Sequence, residues 1–125
     1  MRKLVVISCV LLVLTGGWLT FRNLTSLQTS GSLISLIHVW LGCAFIVIFP
    51  LYAWDHISKH RSRLKQLSWL VFSGLTQLVS GGGLILSGII LMLYGGAFLV
   101  LPTQIHQVGT LLLILSLCIH FLIKK

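Results

Sequence analysis

Leu101 to Lys125 reads LPTQIHQVGTLLLILSLCIHFLIKK. The run is apolar and long enough to cross a bilayer, which takes about 20 such residues in a helix. Two histidines interrupt it, His106 and His120, 14 residues apart. At ~100° and ~1.5 Å per residue they share nearly one helix face and lie roughly 21 Å apart along the axis. An ionisable side chain inside a span is costly, and it marks a functional site by default. Such a pair needs partners at matching depths elsewhere in the chain.

The whole chain has the character of this stretch. Its 125 residues are 57% hydrophobic and 8% charged, with a mean hydropathy of +1.07. A water-soluble domain carries roughly 25% charged residues, so the expected environment is a lipid bilayer. Runs such as LVVISCVLLVL and LLLILSLCI lack the alternation of a transmembrane strand. The expected fold is all-α: a four-helix bundle in one transmembrane domain over residues 1–125, with no soluble domain. Its spans are placed at about 3–20, 33–56, 66–94 and 102–123.

The net charge of +8 is explained by position rather than by nucleic acid. Eight of the nine Lys and Arg fall at Arg2 and Lys3, at Lys59, Arg61, Arg63 and Lys65, and at Lys124 and Lys125; the ninth is Arg22. With four spans the three clusters lie on one side. The positive-inside rule then puts both termini and the middle loop in the cytoplasm. The expected location is the inner (cytoplasmic) membrane, as a multi-pass protein. Trp18 and Trp40 then mark the outer interface, and Trp54 and Trp69 the inner one.

The first span begins like a signal peptide, with MRK before an apolar run. It lacks a small-residue cleavage pattern and continues through TGGWLTF. It is therefore expected to stay as a helix, in which Gly16 and Gly17 weaken the structure or let a bulky group pack close. A polar external loop follows over residues 22–32. The third span holds Gly74, Gly81, Gly82, Gly83 and Gly88, which permit close approach. Gly95-Gly96 is expected to break it, and Pro102 falls in the first turn of the fourth. Cys9, Cys43 and Cys118 form no C-x-x-C or C-x-x-C-H motif, which argues for small buried side chains rather than thiol redox chemistry or covalent haem.

The second span runs parallel to the fourth and carries His38 near its outer end and His56 at its inner end. Their separation of 18 residues is about five full turns at ~3.6 residues per turn, so they share a face. His38 and His106 each lie about five residues into their spans. Two stacked pairs result: His38 with His106 in the outer leaflet, and His56 with His120 in the inner. Facing neutral imidazoles in an apolar bundle suit the iron of a b-type haem with two axial histidines. Gly42, one turn after His38, and Gly109, three residues after His106, would make room for a flat macrocycle. His60 is an alternative to His56, although a continuous helix would carry it ~33 Å from His38, into the headgroup region. The Lys59, Arg61 and Arg63 cluster suits haem propionates or anionic lipid as well as topology. Asp55, the sole acidic residue, either orients His56, carries a proton or pairs with a nearby cation. Gln77, Gln104 and Gln107 are polar positions whose default role is interhelical hydrogen bonding; the last two could also line a quinone pocket.

In this arrangement the chain resembles the transmembrane b-type cytochromes: cytochrome b of quinol-oxidising complexes and the haem-bearing membrane subunits of formate dehydrogenase and hydrogenase. The resemblance lies in the overall layout, in the 14-residue step from His106 to His120, and in the ligand-plus-glycine stretch HVWLG beginning at His38. It implies two stacked b haems and electron transfer across the membrane. It also implies exchange with membrane quinone, and partner subunits of a respiratory or photosynthetic complex, such as a multihaem cytochrome. The second-span step of 18 departs from the family's 14, which would land on Tyr52 and leaves the inner pair offset by ~6 Å. On this reading the chain is an electron-transfer subunit of an oxidoreductase rather than a complete enzyme. Two other readings stay open: a haem-free membrane anchor or assembly subunit, and a metal or haem transporter, for which one carboxylate is thin support.

Overall fold

The computed structural model describes residues 2–25, 33–66, 68–94 and 99–123. Among these, every extended element is helical. Four α-helices follow in order: α1 (Arg2–Leu24), α2 (Leu33–Lys59), α3 (Trp69–Leu93) and α4 (Val100–Ile123), with a 3-10 turn at Arg61–Lys65 before α3. Each α-helix is long and apolar enough to cross a membrane. At ~1.5 Å per residue, even the shortest exceeds the ~30 Å hydrocarbon core. These are the helices of a multi-pass membrane protein. Much of the loop at residues 22–32, the Gly95-Gly96 break and the lysines at 124 and 125 lie outside the described residues.

Local chemistry explains where the helices depart from the expected spans. α3 begins at Trp69 rather than at Gln66 because Ser68 caps it: the Ser68 hydroxyl accepts a bond from the Val71 amide at 3.3 Å. The basic stretch before it folds as the 3-10 turn, in which the Arg63 amide donates to the His60 carbonyl. α2 continues past His56 to Lys59, where the Lys59 ammonium meets Asp55 at 2.9 Å, one turn back. Asp55 therefore forms the ion pair with a neighbouring cation that was one of its three expected roles. Pro102 falls in the first turn of α4, as expected.

Contacts divide the chain into two compact units, residues 1–52 and 53–125. The boundary falls inside α2, two residues after Pro50, which removes one backbone donor from the helix ladder. In the first unit the buried side chains are Val5, Cys9, Phe45 and Phe49. The Phe45 and Phe49 rings stack with centroids 4.9 Å apart.

The second unit is built on the packing of α3 against α4. The polar contacts between them are Ser73 with His120, Gln77 with Ser116, and Ser87 with His106; Leu84 meets Gly109. In each of these pairs the two residue numbers add to 193. The helices are therefore antiparallel in one unbroken register, and Ser80 falls opposite Leu113. The contact positions on α3 step by four and three residues alternately, and those on α4 by three and four. This is a heptad seam. Apart from Leu84 and Leu113 its positions are small or polar, and Ser73, Ser80, Ser87 and Ser116 are all buried. Large apolar side chains point outward instead, among them Val79, Leu86, Leu111 and Leu115. A soluble protein does the reverse. In lipid, apolar surface gains nothing by leaving the solvent, and helices associate through small residues and hydrogen bonds.

Candidate functional site

Three intramembrane histidines are held by the same device. On α4, His106 meets the Ser87 hydroxyl through Nδ1 at 2.9 Å, and that hydroxyl donates to the Gly83 carbonyl at 2.7 Å. His120 meets the Ser73 hydroxyl through Nδ1 at 3.1 Å, and Ser73 donates to the Leu70 carbonyl at 3.0 Å. In the first unit, His38 meets the Thr15 hydroxyl through Nδ1 at 2.8 Å, and Thr15 donates to the Leu11 carbonyl at 2.8 Å. A hydroxyl has one proton. With that proton on a helix carbonyl, each hydroxyl accepts from the histidine, so Nδ1 carries the hydrogen. The tautomer assigned from this network puts the lone pair of the neutral ring on Nε2.

A glycine follows each of these hydroxyl residues. A side chain started at Gly16 would come within 3.0 Å of His38 Cε1, and one at Gly88 within 3.4 Å of His106 Cε1. Gly16 thus lets a bulky group pack close, one of the two roles expected of it. Gly74, after Ser73, has open space where a side chain would begin. It lines a cavity of about 280 Å³ together with His120, His56, His60 and Arg63, over a floor of Leu70, Val71, Leu75 and Leu78. That volume lies at the lower edge of ligand pockets, ~300–1,000 Å³.

His56 and His60 sit one turn apart at the end of α2, with ring centroids at 4.8 Å. Both line the cavity that His120 lines, so the 18-residue step in α2 does not carry His56 away from His120's end of α4. His38 belongs to the first compact unit and His106 to the second. The two glycines singled out by their distance from the ligands differ. Gly42 has open space beside it, whereas Gly109 is pressed on α3, where a side chain would meet Leu84 at 3.3 Å. Gly109 serves the helix contact.

The Gln77 amide donates to the Ser116 carbonyl at 3.1 Å, while Gln104 and Gln107 are exposed. All four tryptophans are exposed. Of the free cysteines, Cys9 is buried as expected and Cys118 is exposed. Among the described residues, no three His, Cys, Asp or Glu side chains converge to hold a bare metal ion. The histidines are distributed along the helices instead.

The hydroxyl partners Thr15, Ser73 and Ser87 were not singled out by sequence reasoning. A signal for two of them was present: Ser73 and Ser87 are 14 residues apart on α3, the same step as His106 and His120 on α4. Comparison of the chain with protein-family models, with curated proteins and with solved structures returned no match.

Proposed function

We propose that this protein carries electrons across a membrane through two b-type haems, each held by two histidines. The observation that carries the reading is the shared state of His38, His106 and His120: each lies in a membrane-spanning helix, with Nδ1 engaged by a hydroxyl and the lone pair on Nε2. Histidines that ligate metal commonly donate their other ring hydrogen in this way, which fixes both tautomer and ring direction. The donor set fits haem iron, while Gly16 and Gly88 make room for the imidazole rings themselves. A bound haem supplies a one-electron iron couple whose potential depends on its axial ligands and their hydrogen bonds.

The residues divide the work. His120, with His56 or His60 lining the same cavity, would hold the inner haem. His38 and His106 are assigned to the outer haem on sequence alone, each about five residues into its span. Arg63, at the cavity rim, offers a guanidinium to an acidic group. The basic clusters support a topology with both termini and the middle loop in the cytoplasm and the protein in the inner membrane. The chain serves as a subunit of a larger complex, passing electrons between membrane quinone and a partner protein.

Purification in detergent after expression with ample haem tests the reading. A red protein is expected, with a Soret band, sharp reduced α bands and two haems per chain by pyridine haemochrome. A colourless preparation would sink the proposal. It would favour a haem-free bundle subunit, a reading that the same histidine–hydroxyl bonds also support, since they knit α3 to α4.

A further inference from the structure

We infer that Ser87 and Ser73 are positioning residues that set the reduction potentials of the two haems separately, Ser87 through His106 and Ser73 through His120. The inference rests on the haem reading above and assigns roles to residues that ligate nothing themselves. Both serines are buried in the α3–α4 seam, and the antiparallel register delivers each to one histidine only. Each hydroxyl has its own proton committed to a helix carbonyl, so it faces the imidazole as an acceptor. An imidazole that donates through Nδ1 is more basic at Nε2 and favours the oxidised metal over the reduced one. The hydrogen stays on Nδ1 throughout, so the device tunes a one-electron couple without moving a proton.

The two ends are not equal. Ser87 meets His106 at 2.9 Å. Ser73 meets His120 at 3.1 Å, at the edge of the cavity. The stronger hold falls on His106.

A redox titration of the detergent-purified protein, followed in the α band, tests this. S87A is expected to raise the potential of one component and leave the other unchanged. A tenfold change in the reduction equilibrium corresponds to ~59 mV for one electron. S73A should raise the other component by less. S87T keeps the hydroxyl, as Thr15 does for His38, and should titrate like the wild type. If S87A loses its haem, S87C keeps the volume with a weaker acceptor and should show an intermediate rise. The inference is overturned if haem is bound at both sites and S87A moves neither component, if it moves both together, or if S87T behaves like S87A. A colourless wild-type protein is a different outcome, because it removes the haem reading itself.

Discussion

The two ends of α4 solve one problem in different ways. At the His106 end the ring is tightly enclosed: Ser87 holds Nδ1, and Gly88 leaves only enough space for Cε1. At the His120 end the ring is held by Ser73 but opens on a cavity of about 280 Å³ that two further imidazoles and Arg63 also line. One end has a single histidine with its geometry fixed. The other has a surplus of donors and room to choose among them. Under the proposed haem ligation, His106 is the one candidate at the first end, whereas the second end offers His56 and His60 beside His120.

That contrast can be broken most sharply by removing imidazoles. H106A and H120A should each cost one haem per chain by pyridine haemochrome. At the crowded end, H56A or H60A should cost the same haem as H120A, but only one of the two should do so. If each single variant keeps two haems and only the H56A/H60A double variant loses one, the rings are interchangeable ligands. If the double variant also keeps two haems, the inner site is wrongly assigned.

A second test exploits the glycines. A methyl at Gly88 meets the His106 ring at 3.4 Å, whereas one at Gly74 meets nothing within 4 Å. Gly88→Leu should displace His106 and abolish its haem, and Gly88→Ala should perturb its spectrum. Gly74→Ala should leave the His120 haem intact. Equal tolerance at both positions would contradict the difference in enclosure.

The seam between the ends gives a smaller effect. Gly109→Leu drives a side chain into Leu84, which already lies 3.3 Å from where a methyl would sit. Overpacking of this kind costs about 1–3 kcal/mol. It should appear as a lower melting temperature in detergent, whether or not haem is bound. The smallest effect is expected at Asp55, whose pair with Lys59 is largely exposed. Asp55→Asn should change stability by no more than ~0.5 kcal/mol, and haem content not at all. A loss of haem in that variant would restore the role of Asp55 as the group that orients His56.

The helices and their histidines were legible because both are periodic features. Apolar runs of sufficient length declare spans, and a step of 14 or 18 residues returns a side chain to nearly the same face. Ser73 and Ser87 repeat the same 14-residue step, but the step alone does not say that they receive histidines. Ser73, Ser87 and Ser116 all donate to their own backbone, yet only the first two also receive a histidine, so the back-bond does not mark them. Only the pairing of α3 with α4 does so. Gly109 shows the opposite failure. Its distance from His106 along the helix suggested space for a cofactor, yet it faces α3, because residues three apart share a helix face and His106 itself meets α3 through Ser87.

The sequence by itself determined that this chain lives in a bilayer as four helices and where its histidines stand along them. Hydropathy and helical period are properties of one strand of chain and need no partner. Which hydroxyl holds which histidine, which glycine cradles a ring and which seals a helix contact, and that His56 and His60 line the same cavity as His120 were decided by tertiary structure. Those facts depend on the register between helices, set by the fit of small residues along a seam where the hydrophobic effect has no preference.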